Sequence, residues 1–130
     1  MADDLLRVVV VRRGKVKPTE FRLRPGESGL SLFRASPYVG PEAIMAAVRA
    51  AGKQGELGVA EIPAAVFRRL HLRIVRTRGG TPVPEVNACH VEARPTAWRR
   101  LLLRFRGVTV HDWFNEEITP VLAAEATLLE

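Results

Sequence analysis

Cysteine is nearly missing from this chain: Cys89 is the only one in 130 residues. A lone thiol cannot close an internal disulfide, and no paired Cys and His spacing fits a zinc finger, so a stapled secreted scaffold is excluded and a reducing, cytoplasmic setting is expected. Histidine is scarce too. His71, His90 and His111 are far apart and show no ligand spacing such as His-x-x-x-His, so neither a metal nor another cofactor is expected. The glycines form no G-x-G-x-x-G and no G-x-x-x-x-G-K-[ST] pattern; Gly26, Gly29, Gly79 and Gly80 read as turn chemistry. Long apolar runs are also lacking. The best candidate, Leu5 to Val11, is interrupted by Arg7, follows an acidic start and is too short for a bilayer span or a signal peptide, so no membrane association is expected.

What is present is an ordinary globular composition, 47% hydrophobic and 26% charged, in a length typical of one domain. Residues 1–130 are therefore read as a single domain that buries its own core. The chain is basic, with a net charge of +6, and lysine occurs only at Lys15, Lys17 and Lys53, so arginine carries the surplus. That balance suits an acidic protein surface or a nucleic acid, although arginine enrichment also follows from a GC-rich genome.

Periodicity places the elements. Leu5 to Val11 reads as a central strand ending in the turn Arg12-Arg13-Gly14. Thr19 to Arg24 alternates with period two, which predicts a second strand pointing Phe21 and Leu23 inward. The turn residues Pro25 to Gly29 then predict a hairpin to a third strand, Leu30 to Arg34. Pro41 opens a helix to about Ala51 with Ile44, Ala47, Val48 and Ala51 on one face and Gly52 as its stop. Leu57 to Ile62 reads as a strand, Pro63 to Leu70 as a short helix, His71 to Val75 and Val86 to Ala93 as strands. The Gly- and Pro-rich stretch Thr77 to Pro84 reads as the most flexible loop. Pro95 begins a helix whose repeat of Trp98, Leu101, Leu102 and Phe105 predicts a tightly packed core face, ended by Gly107. Val108 to Val110 reads as a last strand, followed by a C-terminal helix from Thr119 and Pro120. The fold class is thus α+β: a mixed, mostly antiparallel sheet of about five to seven strands with about four helices.

Candidate sites are few. In Asn87 to Glu92 alternation puts His90 and Glu92 on one face of a strand and Cys89 on the other, which argues for a buried Cys89 and against a Cys-His nucleophile. His90 and Glu92 can line a polar cleft or form a solvated pair. Arg99, Arg100, Arg104 and Arg106 make the wet side of the Pro95 helix positive and are candidates for phosphate contact, with no aromatic expected among them for stacking bases. Trp113 and Phe114 are either an exposed partner-binding anchor or a closure of one core edge.

The short motifs Thr19-Glu20-Phe21, Gly29-Leu30-Ser31-Leu32, Gly58 to Ile62 and Cys89-His90-Val91-Glu92 resemble those of a small uncharacterised bacterial protein family. The element order is similar to that of ADP-ribosyltransferase-like domains. That resemblance implies Arg22, Ser31 and Glu92 as a trio holding a nicotinamide dinucleotide and polarising the ribose. Apart from the resemblance, Arg22, Ser31, His90 and Glu92 are the candidates for a polar cleft. The family's Ser-Thr-Ser strand motif and Glu-x-Glu or Gln-x-Glu ending have no counterpart here, so the form implied is a degenerate nucleotide-handling domain. The residues themselves carry no catalytic constellation, and a non-catalytic module with a protein partner is the leading expectation. Nucleic-acid binding through the arginine helix is the alternative.

Overall fold

The computed structural model describes residues 4–129. Among these residues seven strands form one sheet in the order β5-β6-β3-β1-β4-β7, with β2 paired to β1, and every pairing is antiparallel. They are β1 Asp4–Arg12, β2 Lys15–Val16, β3 Leu30–Arg34, β4 Leu57–Pro63, β5 Leu72–Arg76, β6 His90–Pro95 and β7 Thr127–Leu129. The helices are α1 Pro41–Ala50, α2 Ala64–Arg69, α3 Pro84–Asn87 and α4 Ala97–Arg106, followed by α5 Val110–Trp113 and α6 Thr119–Glu125, which a π turn, Phe114–Ile118, joins into one unit. With that unit counted once, the domain is α+β with five helices.

Alternation along the central strand explains the layering. Leu5, Val9 and Val11 join a core with Phe67 of α2, Leu103 of α4 and Phe114, Ile118 and Leu122 of the C-terminal helix. Leu6 and Val8 face the other way, onto Ile44 and Ala47 of α1 and Val86 of α3. A strand buried on both faces reads as a nearly continuous apolar run, as Leu5 to Val11 does.

Several expectations change. Thr19 to Arg24 is no strand: Pro18–Phe21 is a 3-10 turn, and no hairpin leads into β3. Phe21 and Leu23 do point inward, but the Leu23 backbone is paired by a side chain, donating its N–H to Asn115 Oδ1 at 2.8 Å and accepting at its C=O from Asn115 Nδ2 at 3.1 Å. Thr119 Oγ1 likewise donates to Phe21 O at 2.8 Å. The C-terminal helix therefore does for this segment what a neighbouring strand would have done. Residues 84–87 are helical, so β6 begins only at His90, and Cys89 sits half-buried before it. Val108 to Val110 is no strand, Val110 being the first residue of α5, and β7 is an edge strand that the sequence pattern did not announce.

The helix α4 is the largest correction. Thr96 caps its start by accepting from Arg99 N, and Gly107 ends it at φ 71°. Its predicted core face is nevertheless outside: Trp98 is 68% exposed, Leu101 54% and Phe105 90%, while Leu103 alone is fully buried.

Candidate functional site

The sheet carries a split beside its central strand. β1 and β3 pair only at Leu5 with Arg34 and Leu6 with Phe33, whereas β1 stays paired with β4 from Asp4 to Val10. Side chains fill the gap. Arg7 Nε donates to Glu20 O and Arg7 Nη1 to Ser31 O at 2.6 and 2.7 Å, and Val10 N donates to Glu20 Oε1 at 2.8 Å. Lys53 Nζ, just past α1, approaches the same carboxylate oxygen at 3.5 Å. Burial pushes the Arg7 guanidinium down to about 10, partly offset by Glu20. Lys53 is also pushed below the ordinary lysine range, by burial and then by the Arg7 charge, with Glu20 opposing. Two cations thus converge on one residue, Arg7 at the Glu20 carbonyl and Lys53 at its carboxylate.

Arg7 lines cavities on both sides of this split. On the α1 side, a cavity of about 230 Å³ is bounded by Arg7, Ser31, Lys53, Gly80, Thr81 and His90, against an apolar wall of Val8, Phe33 and Val48. Its lip is the loop expected to be the most flexible, and that loop is latched. Asn87 Oδ1 accepts from Thr81 N and Thr81 Oγ1 at 3.0 and 2.7 Å, and Asn87 Nδ2 donates to Thr81 O at 2.8 Å. Gly79 packs so closely on Asn87 that a Cβ there would fall 2.5 Å from its Oδ1. A larger cavity of about 560 Å³ lies beside the start of α1, but its walls are mostly apolar or glycine, and Glu42 is the one charged side chain on it.

The predicted polar residues divide between these places. Ser31 and His90 line the 230 Å³ cavity. His90 is buried edge-on against Phe33, its Nδ1 lies 2.7 Å from Thr77 Oγ1, and burial lowers its pKa despite the nearby Glu92. Glu92 is the register partner of Ser31, but its carboxylate is held by Arg94 at 3.0 Å. Arg22 is exposed and belongs to the cavity on the opposite side, with Arg7, Thr19, Glu20, Arg24 and His111, which includes neither Ser31 nor Glu92. Among the described residues neither of these cavities is lined by the whole dinucleotide trio. Arg7, Glu20 and Lys53 were missed by sequence reasoning; the signal was the single charge inside an otherwise apolar central strand.

Trp113 and Phe114 are buried, 5% and 0% exposed, so they close the core edge and offer no surface anchor. The Arg99 guanidinium stacks 5.5 Å above the Trp113 ring, which turns it away from the basic face. Arg100, Arg104 and Arg106 are exposed, and helical spacing sets Arg100 and Arg104 along one flank of the outward Trp98, Leu101 and Phe105 row. Aromatics therefore do stand among the arginines. Among the described residues no three His, Cys, Asp or Glu side chains converge as a metal site, and no helix is long and apolar enough to cross a membrane.

No family model, curated protein or solved structure matches the chain.

Proposed function

We propose that this chain is a non-catalytic interaction module that inserts the outer face of α4 into an apolar, acidic-rimmed groove on a partner protein. The observation that carries the reading is the exposure of Trp98, Leu101 and Phe105, with half-buried Leu102 beside them, on a capped helix of ten residues. Positions i, i+3, i+4 and i+7 are the anchors by which an amphipathic helix fills a groove. Aromatic side chains are also the residue type that dominates interface energetics. A contiguous apolar row of this kind is a liability on a free monomer. Arg100 and Arg104 flank it, and Arg106 lies at its end, which selects a groove whose rim is negative and speeds encounter with it.

The test is recovery of partners from host lysate on the tagged chain, before and after nuclease, in parallel with Phe105→Ser and with Arg100→Glu/Arg104→Glu. The reading expects one stoichiometric protein that survives nuclease, is lost with either variant, and presents an acidic-rimmed groove when its own surface is examined. Material that is nucleic acid, and vanishes on digestion, overturns it in favour of aromatic stacking and phosphate contact by the same helix. Concentration-dependent self-association abolished by Phe105→Ser overturns it as well, because a second copy would then be the occupant.

A further inference from the structure

We infer that the cavity beside the β1/β3 split is a binding site for a small phosphate-bearing anion, held by Arg7, Lys53, Ser31 and His90. This site is separate from the α4 face and does not depend on the interaction reading. Charge comes first. Arg7 and Lys53 bring two positive charges to a cavity whose lining, among the described residues, holds no carboxylate; Glu20 and then Glu27 oppose the Arg7 charge while Arg24 adds to it, and Glu92 across from Ser31 is neutralised by Arg94. Partly buried, closely spaced cations of this kind keep their protons at a cost in desolvation and mutual repulsion, and an oxyanion between them offsets part of both.

Donor geometry is the second argument. Of the five guanidinium N–H groups of Arg7, two are engaged by Glu20 O and Ser31 O, which leaves three for a ligand among the described residues. The Lys53 ammonium has three donors and, among the described residues, one ion-pair partner, Glu20, 3.5 Å away. The His90 ring uses Nδ1 toward Thr77, which leaves Nε2 as the ring nitrogen for a ligand, a donor when the Thr77 hydroxyl donates to Nδ1 or when the ring is protonated. The Ser31 hydroxyl adds a fourth donor, and it comes from the strand across the split. Donors from four separate elements suit a tetrahedral oxyanion with three or four acceptor oxygens better than a planar carboxylate with two. Thr81, by contrast, is used up in latching the loop to Asn87 and serves as wall.

Size agrees with a small ligand. A cavity of about 230 Å³ takes a phosphate group with a short organic substituent, such as a small phosphomonoester, or inorganic phosphate alone, and is below the usual range for a dinucleotide or drug-sized ligand. The apolar wall of Val8, Phe33 and Val48 lies where the substituent of a monoester would rest.

The experiment is a titration of the intact chain, followed by backbone amide NMR at constant ionic strength, with inorganic phosphate, glycerol phosphate and acetate as separate probes. Saturable shifts are expected around Ser31, Gly80, Thr81 and His90 with phosphate. Lys53→Ala and Ser31→Ala are expected to weaken that binding by roughly ten-fold or more each, on the scale of one charge-assisted hydrogen bond. Both variants avoid Arg7, whose loss would also open the split. Tighter binding of glycerol phosphate than of inorganic phosphate assigns the monoester, and the reverse order assigns the free ion. Acetate binding equal to phosphate overturns the inference. So do shifts that never saturate, that map to α4, or that persist unchanged in Lys53→Ala.

Discussion

At the scale of single residues, His90 shows how burial writes a pH response into the fold. Its pKa is lowered because burial beside Phe33 disfavours the imidazolium more than Glu92 and Thr77 favour it. The unfolded chain therefore takes up a proton at the ordinary histidine pKa, about 6.5, before the folded one does. Stability that is fully present above that value falls as pH drops through it toward the lower folded pKa. Denaturant midpoints taken between about pH 7.5 and 5 should thus decline more steeply for the native chain than for His90→Gln. Parallel declines would remove His90 from the response. Residues of this type were partly legible in the sequence: alternation placed His90 and Glu92 on one face, and that face does meet Ser31 and Phe33. Arg7 was legible only as an interruption, because nothing local says that a charge in a central strand has a missing neighbour strand to replace.

Among the elements, α4 shows what periodicity can and cannot tell. The spacing of Trp98, Leu101, Leu102 and Phe105 gave the helix and its stripe, and Thr96 and Gly107 gave its ends. It did not give the side that is covered. Only Leu103 enters the core, off the predicted stripe, while Arg99 stacks on Trp113. Opposite outcomes follow for two neighbouring positions. Leu103→Ala should cost about 2–5 kcal/mol in urea unfolding, as buried leucines do. Phe105→Ser should change stability by no more than about 0.5 kcal/mol, despite removing the larger side chain. If Phe105→Ser proves as damaging as Leu103→Ala, the outer face is covered by the chain itself. The Thr19 to Arg24 segment teaches the converse. Its two inward residues were right and its strand was wrong, since period two reports which side chains are buried and not which group satisfies the backbone. Here Asn115 and Thr119, more than 90 residues away, perform that task.

Over the whole molecule, the α+β class and the sequence of major strands and helices were legible because each apolar run has a clear period and Gly or Pro boundaries. Strand order was not, because it depends on pairings such as β3 with β6 that join residues roughly sixty apart. The split follows from that order, and it can be probed directly. The Val10 amide donates to the Glu20 carboxylate where its neighbour Val11 donates to the backbone at Glu56. Glu20→Ala should speed hydrogen exchange at Val10 by at least about ten-fold while Val11 stays protected, the mark of a local opening and not of global unfolding. Equal acceleration at both would show that the carboxylate supports the sheet as a whole. Mechanically, the sheet is two leaves, β5-β6-β3 and β1-β4-β7, bound along a spine only two residue pairs long at Leu5–Leu6 and Phe33–Arg34. Tension drawn across that line would peel it before it sheared any longer pairing. An anion gripped by Ser31 on one leaf and Arg7 on the other acts as a stitch across the tear, so the force needed to part the leaves becomes a measure of occupancy.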